Sequence, residues 1–398
     1  MNDNRSMLND KKSNRLLLFY TVTAFFWFSL YAYVPFVGPF AEELGADLRM
    51  VGLIAGAYGF TQMVLRIPLG IFSDMIRKRR VFVLTGAGVA AVAGVVVYFF
   101  PNPFTLLTSR ALGGVAASAW VTFTVLGASY YPRNETTKSM GLLHMINALG
   151  RMAALLAGGF VAMWFGVTYV FLLGGVIGFA ALLLGAGIIE KRPEATQAGP
   201  SLSSLYQVAR NRQLLCTSFL GILIQYIIFA TTFGFTPIAA VQLDASQFQL
   251  GMLGVASALP GLVFAPMAGT TLPRLFGVKA TLSIGFGLTG LGAALIPFCT
   301  TLWHIFAIQV IGSIGAVTVL TLLMGLCIVD ISSEKRATAM GFFQAVYGLG
   351  MFLGPFTMGW FSHTFGLNPS FIMISTIGLI GIIAVVVFGN KGHLKQYG

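Results

Sequence analysis

Charged residues are scarce in this sequence, and their scarcity excludes most classes of soluble protein. Only 9% of the 398 residues are charged, 57% are hydrophobic, and the mean hydropathy is +0.84. Soluble globular domains carry about 25% charged residues. A polytopic membrane protein is the class that remains, because roughly 20 apolar residues per helix cross a bilayer core about 30 Å thick.

Cysteine is also nearly absent. Cys216, Cys299 and Cys327 lie in or at the ends of apolar runs without paired spacing, which excludes a disulfide framework and a metal knuckle. The four histidines are isolated in sequence, and no nucleophile–base set is recognisable. We therefore expect no metal, no other cofactor and no enzymatic activity, and a membrane enzyme or receptor is the least supported alternative.

Twelve apolar runs are long enough to cross a membrane. The first, from Leu16 to about Phe40, is too long for a signal-peptide core and is expected to be retained. The others lie near 50–73, 81–100, 104–129, 139–163, 167–189, 214–240, 251–272, 280–299, 304–328, 339–361 and 370–389. The sequence therefore predicts an all-α integral membrane protein with twelve transmembrane helices, numbered below as spans 1 to 12.

Basic residues collect in alternate loops, and this pattern predicts the orientation. Twenty of the twenty-four Lys and Arg residues lie at the N-terminus and in the loops of one side, whereas only Arg49 lies in the opposite loops. The positive-inside rule then predicts a multi-pass protein of the plasma membrane with both termini in the cytoplasm. The basic residues form no single basic domain, so the bilayer, and not nucleic acid, is the expected partner. We expect a monomer.

The chain repeats itself at an offset of about 200 residues. The span 5 series Met140, Gly141, Gly150, Ala154 and Gly159 recurs in span 11 as Met340, Gly341, Gly350, Gly354 and Gly359. We predict an N-terminal six-helix half at 1–189, a cytoplasmic linker at 190–213 and a C-terminal six-helix half at 214–398. Two halves in the same orientation, with substrate bound between them, form a transporter architecture.

Short motifs resemble those of the major facilitator superfamily, and the resemblance covers essentially the whole chain. The loop after span 2 keeps Gly70, Asp74, Lys78 and Arg79 of a signature that usually reads Gly-x-x-x-Asp-Arg-x-Gly-Arg-Lys, while Met75 and Arg77 depart from it. The remaining matches are Arg110-x-x-x-Gly114 in span 4, Gly350-x-x-x-Gly354-Pro355 in span 11, and Gly150-x-x-x-Ala154 followed by Gly158-Gly159 in span 5.

The resemblance implies a secondary transporter that works by alternating access. It also implies gating or structural roles for these motif residues, with Asp74 near the start of span 11. The Gly-Pro motif of span 5 is associated with antiporters of the superfamily. Because this span lacks the proline, symport and antiport both remain open.

Basic side chains lie inside the spans, whereas acidic ones do not. Arg66, Arg110, Arg151 and His144 fall within apolar runs, while all twelve Asp and Glu residues fall in loops or at helix ends. A mid-membrane arginine costs about 2.5–3.5 kcal/mol on insertion scales, so each needs compensation. Backbone carbonyls with water are one source of compensation, and an anionic ligand is the other.

The buried basic residues align with polar neighbours on helix faces. His144, Asn147 and Arg151 are spaced three and four apart in span 5 and so share one face, as do Tyr58, Gln62 and Arg66 in span 2. Each basic residue also has a structural interpretation. Arg110 belongs to a family motif, Arg66 can snorkel to the cytoplasmic end, and His144 can be a hydrogen-bonded interior residue instead of a proton carrier.

The resemblance implies that spans 1, 4, 7 and 10 surround a central cavity. Span 1 offers Tyr20, Thr23, Trp27 and Tyr31 at helical spacing, and span 7 offers Gln225, Phe229, Thr232 and Thr236. The predicted substrate-binding set is Arg151, Arg110, Arg66, Asn147, His144, Trp27, Tyr31, Gln225 and Gln309.

These patterns predict a secondary active transporter for a small organic anion, coupled to a proton or to an exchanged anion. The alternative is proton-coupled efflux of drug-like cations or neutral amphiphiles, which the Gly-Pro motifs suggest. Such efflux proteins normally use an acidic residue inside a span, and this sequence has none there. The imbalance between arginine and acid therefore favours the anion.

Overall fold

A computed structural model gives the fold of the chain. It describes residues 2–76, 78–131, 135–190, 202–332, 335–390 and 394, with the backbone alone for 2–13, 74, 136–138 and 202–204. Within these ranges the protein consists of helices and their connections, without a β-strand. The all-α prediction is confirmed.

Among the described residues, twelve helical segments are long and apolar enough to cross a membrane, as the sequence predicts. They are Asn14–Glu43, Leu48–Ser73, Arg79–Phe99, Pro103–Ser129, Ser139–Phe165, Val167–Gly185, Arg212–Val241, Gln247–Gly269, Val278–Phe298, Leu302–Leu326, Arg336–Phe365 and Leu367–Asn390. Because their number is even, the beginning of span 1 and the end of span 12 lie on one side, here called the terminus side, and the opposite side is called the far side. Two short helices, Leu202–Ala209 and Thr271–Phe276, follow spans 6 and 8. Residues 191–201 of the predicted linker lie outside the described residues.

Two spans that face the centre of the bundle change helical geometry near a proline. Span 1 passes through a 3-10 turn at Val34–Phe36, and span 7 passes through a π-turn at Thr231–Phe235 just before Pro237. Proline lacks a backbone N–H and cannot continue the regular hydrogen-bond ladder. Single π-turns inside helices frequently occur at functional sites. Both irregular segments lie at the cavity described below.

Equivalent glycines pack equivalent helices in the two halves, which gives the internal repeat its structural form. In the N-terminal half, a Cβ added at Gly150 would lie 2.5 Å from the carbonyl oxygen of Ala24, so span 5 packs directly on the backbone of span 1. In the C-terminal half, a Cβ at Gly350 would lie 2.1 Å from the carbonyl oxygen of Ile222, so span 11 packs on span 7 in the same way. The bundle consists of two six-helix halves.

Glycines also join the two halves near the far side. A Cβ at Gly359 of span 11 would lie 2.8 Å from the Cα of Gly52 in span 2, and one at Gly251 of span 8 would lie 2.8 Å from the Cα of Gly159 in span 5. Small residues permit such close approach of helix backbones within a bilayer. Because Gly159 and Gly359 are the repeat-related pair, the two crossings are equivalent, and together they bring the halves into contact near the far side.

A polar cluster at the far-side ends of spans 2 and 11 adds a second contact between the halves. The far-side cluster consists of Asp47, Arg49, Trp360 and His363. The Asp47 carboxylate lies 3.4 Å from Nδ1 of His363 and 3.7 Å from Nε of Arg49. The Arg49 guanidinium also donates to the His363 ring and lies 5.1 Å from the centre of the Trp360 ring. The cluster therefore holds the beginning of span 2 against the end of span 11.

Candidate functional site

A cavity of about 340 Å³ lies between the two halves. Spans 1, 2, 4 and 5 line it from the N-terminal half, and spans 7, 8, 10 and 11 line it from the C-terminal half. Pockets for small molecules have volumes of about 300–1,000 Å³, so this one suits a small solute. Its lining extends from His144 and Gln344, near the terminus-side ends of their helices, to Pro237 and Leu250, near the far-side ends of theirs.

Most of the predicted binding residues converge on this cavity. Its lining includes Arg151, Arg66, Asn147, His144, Trp27, Tyr31, Gln225 and Gln309. Arg110 does not line this cavity but lines a separate small void. The helical spacing of three and four residues in spans 2 and 5 thus brings the expected polar stripes to a common space.

The basic groups of the cavity belong to the N-terminal half. The Arg151 guanidinium lies 4.8 Å from the centre of the Tyr31 ring, and the His144 ring meets Trp120 edge-on at 5.7 Å. Arg66 is only 4% exposed; its side chain lies close to that of Tyr347, and its buried Nε atom has no hydrogen-bond partner among the described residues. Aromatic rings and the Tyr347 side chain therefore lie next to these basic groups.

The wall from the C-terminal half is polar but uncharged. Its polar side chains are Gln225, Thr232, Ser257, Gln309, Ser313, Gln344 and Tyr347. The Gln309 amide donates to the Thr232 hydroxyl over 2.8 Å, which connects span 10 to the π-turn of span 7. Among the described residues, neither wall contributes an aspartate or glutamate to the cavity lining.

Some lining residues were missed by the sequence-based selection. Trp120 lies in a run of span 4 with no polar signal, and its ring packs 5.1 Å from that of Trp27. Gln344 and Tyr347 occupy the positions that correspond, 200 residues later, to His144 and Asn147. The internal repeat was therefore the signal that could have identified them.

The predicted aromatic and threonine stripes reach the cavity only in part. The Tyr20 hydroxyl is instead 2.8 Å from that of Tyr131, toward the terminus side. Thr23 and Thr236 are fully buried in helix packing outside the lining. Helical spacing alone did not locate the ends of the cavity.

The family-motif residues mostly pack helices together. A Cβ at Gly114 would lie 2.1 Å from the Thr61 hydroxyl, so this glycine lets span 4 approach span 2, while one at Gly70 would lie 3.7 Å from the Val121 side chain. The backbone N–H of Arg79 donates to the Glu190 carboxylate over 2.9 Å, and Lys78 is exposed. The side chain of Asp74 and residue 77 lie outside the described residues. Pro355, Gly158 and Gly354 lie in helix–helix contacts.

A bundle of two six-helix halves around a central cavity has the architecture of a secondary transporter. The sequence profile of the Major Facilitator Superfamily matches residues 19–242 and again residues 218–396. The chain belongs to the major facilitator superfamily. It is an integral, multi-pass membrane transporter of a small-molecule substrate, not an enzyme.

Known proteins resemble the chain over most of its length. An uncharacterized MFS-type transporter from Methanocaldococcus jannaschii is 25% identical over 367 residues, covering 88% of this chain and 92% of the relative. Multidrug resistance protein MdtG from Proteus mirabilis is 24% identical over 366 residues, covering 88% and 89%. A crystal structure of a bacterial homolog of the human lysosomal transporter Spinster, inward-facing and occupied, has a TM-score of 0.80 at 14% identity and covers 97% and 99%. At that identity, the structural likeness shows the fold alone.

Proposed function

We propose that this transporter carries a small organic anion by alternating access. The supporting observation is the charge of the cavity, whose described lining contains Arg66 and Arg151 but no aspartate or glutamate. A guanidinium group keeps its charge at any physiological pH. The cavity therefore has a permanent positive charge that its described walls do not balance, and an anionic substrate would balance it.

Electrostatics at this depth favours an anion strongly enough to select substrates by charge. For two unit charges 4 Å apart, the Coulomb energy is about 4 kcal/mol at an effective dielectric constant of 20. An organic cation at the same place would be repelled by a similar amount. Arg151 is suited to be the main contact, because a guanidinium fork can bind a carboxylate or phosphate through two parallel hydrogen bonds.

The rest of the lining suits the uncharged part of such a substrate. Trp27 lies between Tyr31 and Trp120, with ring centres 5.8 Å and 5.1 Å away, and offers a surface for an apolar or ring-shaped portion. Across the cavity, Gln225 and Gln309 offer amide groups for a carbonyl or hydroxyl group. The anionic group and the ring portion would then contact the N-terminal half, and a carbonyl or hydroxyl group would contact the amides of the C-terminal half.

Efflux of drug-like cations or neutral amphiphiles is the second candidate. It is supported by the similarity to MdtG over 88% of this chain and by the aromatic lining. A cation would have to enter a cavity with two arginines and no acidic side chain in its described lining. For this reason we rank the anion first.

The proposed orientation places the terminus side in the cytoplasm, following the positive-inside pattern. The halves are assigned to residues 1–189 and 214–398, with the linker at 190–213. In this orientation, the glycine crossings and the far-side cluster would close the described conformation toward the outside of the cell. A coupled proton or an exchanged anion would complete the transport cycle.

The proposal is tested with pairs of compounds that share a ring but differ in charge. Purified protein is heated with indole-3-acetate or tryptamine, and with benzoate or benzylamine, and the unfolding temperature is recorded. A ligand that binds only the folded protein raises its apparent stability, by about 2.7 kcal/mol at 100 times Kd. We expect stabilisation by the acids and none by the amines. Hits are then tested for counterflow in proteoliposomes.

Variants of Arg151 identify the group responsible. Arg151→Gln should abolish stabilisation by the acids, and Arg151→Lys should weaken it because an ammonium group cannot provide the fork. Arg274→Gln, at an exposed position outside the spans, removes the same charge as a matched control and should bind normally. Stabilisation by amines alone, or full binding of an acid to Arg151→Gln, would overturn the proposal and favour efflux.

A further inference from the structure

Four aromatic rings from both halves form one wall of the cavity. This aromatic roof consists of Tyr31 and Tyr58 from the N-terminal half and of Phe229 and Phe233 from the C-terminal half. Tyr31 meets Phe233 edge-on at 6.1 Å, Tyr58 stacks with Phe229 at 6.1 Å, and the two phenylalanine rings are 5.0 Å apart. Two of these three contacts join one half of the protein to the other.

A small void shares the four rings of the aromatic roof with the main cavity. All four roof residues and Val34 line both this void and the main cavity, whereas Leu30 and Arg110 line the void alone. The void has a volume of about 10 Å³, close to the minimum of about 10–15 Å³ that one water molecule needs. The roof therefore separates the main cavity from Arg110.

Arg110 is a buried cation without a counter-charge in the described structure. It is 4% exposed, its guanidinium lies 4.8 Å from the centre of the Tyr58 ring, and its buried Nε atom has no hydrogen-bond partner among the described residues. Tyr33 and Ser109 lie beside it and are neutral. A buried, uncompensated charge is unfavourable, so an anion bound next to Arg110 would be stabilised.

Arg110 and Arg151 differ in depth, and both belong to the N-terminal half. Arg110 lies seven residues from the far-side end of span 4, about 10 Å at 1.5 Å per residue, whereas Arg151 lies twelve residues from the terminus-side end of span 5. If the halves separate at the far side, the Tyr31–Phe233 and Tyr58–Phe229 contacts must break. That movement would open the void to the far side.

We propose that Arg110 is a second binding site for the substrate's anionic group, used in the conformation that opens to the far side. The ligand is an organic anion with a carboxylate or phosphate group, which contacts Arg151 when the protein opens to the terminus side. The proposal rests on the proposed function, because it assumes an anionic substrate. It adds that the two arginines serve the two conformations, with the aromatic roof between them.

The test measures the electrostatic potential on each side of the roof with charged thiol reagents. In a chain whose three cysteines are replaced by alanine, Leu30→Cys reports on the void and Ser257→Cys reports on the main cavity. Each is reacted with the anionic sulfonatoethyl and the cationic trimethylammonioethyl methanethiosulfonate. The ratio of the two rates does not depend on the thiol pKa, because both reagents consume the same thiolate.

We expect Leu30→Cys to react from the far side and to prefer the anionic reagent about tenfold relative to a free thiol in water. Arg110→Gln should remove most of that preference, whereas Arg110→Lys should retain it, since the charge is kept. Retention by the lysine variant shows that the loss in Arg110→Gln comes from the charge and not from misfolding.

The second reporter separates this proposal from the proposed function. At Ser257→Cys, the preference for the anionic reagent should depend mainly on Arg151. Arg151→Gln should therefore reduce the preference at Ser257→Cys, whereas Arg110→Gln should reduce it mainly at Leu30→Cys. No preference at Ser257→Cys would contradict the proposed function. A Leu30→Cys thiol that never reacts from the far side, or whose preference survives Arg110→Gln, would overturn the second site even if Ser257→Cys behaves as expected.

Discussion

Gly52→Ala should shift the protein away from the conformation that is closed at the far side. Gly52 lies where span 2 crosses span 11. A Cβ at this position would lie 2.4 Å from the carbonyl oxygen of Pro355 and 2.9 Å from the Cα of Gly359. Both of these atoms belong to the backbone of span 11, so no side-chain rotation can make room. The two spans must move apart by about 1 Å to reach ordinary van der Waals contact at 3.4 Å.

The size of the shift follows from the cost of overpacking. Inserting a methyl group into a well-packed interface costs about 1–3 kcal/mol. That cost applies only while the helices are in contact, because a conformation with the far side open separates them. A free-energy change of 1–3 kcal/mol alters the ratio of the two conformations by about 5- to 150-fold. Because the neighbouring atoms belong to rigid backbone, we expect the cost of Gly52→Ala to lie toward the upper end of this range.

Distance measurements between spin labels report on this equilibrium. Labels are attached to cysteines at Glu43, at the end of span 1, and at Thr364, near the end of span 11, both of which are exposed at the far side. Pulsed electron–electron double resonance should show a short distance between the two labels in the parent chain. In Gly52→Ala, a population at longer distance should appear or grow.

Gly341→Ala is the matched control, since Gly341 is in the partner helix and an added Cβ would meet nothing within 4 Å. This control has the same gain in helix propensity, about 1 kcal/mol, that any glycine-to-alanine change in a helix brings. Its distance distribution should match that of the parent chain. If Gly52→Ala folds normally and also keeps the parent distribution, the glycine crossing does not determine far-side closure.

Three further changes have smaller or more specific expected effects. Asp47→Asn should increase the population at longer distance less than Gly52→Ala does. We expect a free-energy change of under about 1 kcal/mol, because Asp47 and His363 are 49% and 36% exposed and exposed ion pairs are weak; an effect equal to that of Gly52→Ala would contradict this ranking. His144→Gln should keep counterflow between equal substrate pools, since electroneutral exchange needs no proton carrier, and lost counterflow in folded protein would refute it. If Asp74 lies near the start of span 11, as the family resemblance implies, Asp74→Asn should raise cysteine labelling from the terminus side, because an anion near a helix N-terminus is stabilised by about 0.3–1 kcal/mol; unchanged labelling would contradict a role for Asp74 in closing that side.

Hydropathy and periodicity were sufficient to predict the membrane fold. Each span needs a long apolar run, and few other constraints act on a helix in lipid, so the spans can be counted from the sequence. The stripe of His144, Asn147 and Arg151 could be placed on one face because helical geometry is fixed locally. That this stripe faces spans 7, 10 and 11 across a cavity could be expected only from the family resemblance, because the stripe alone does not indicate which helices it faces.

The position of Arg110 shows where sequence reasoning fails. The sequence places Arg110 and Arg151 inside spans and distinguishes Arg110 by its family motif, but both were predicted to line the same binding site. The roof that separates Arg110 from the cavity depends on Tyr58 stacking with Phe229, a contact between residues of different halves. The π-turn at Thr231–Phe235 contains Phe233 and lies just before Pro237; the proline indicates an interruption of the helix but not that a π-turn forms there. Contacts between halves and irregular helical turns are therefore the features that single-helix patterns cannot supply.

The distribution of charge between the halves has a consequence for how an anion would cross. Arg66, Arg110 and Arg151 all belong to the N-terminal half, while the lining from the C-terminal half is neutral in the described residues. When two rigid halves rock against each other, contacts within one half persist and contacts between halves change. An anion held by these arginines would therefore keep its strongest contacts with one half in both conformations. The amides of the C-terminal half would exchange hydrogen bonds of only about 0.5–1.5 kcal/mol each, which keeps the barrier to movement low.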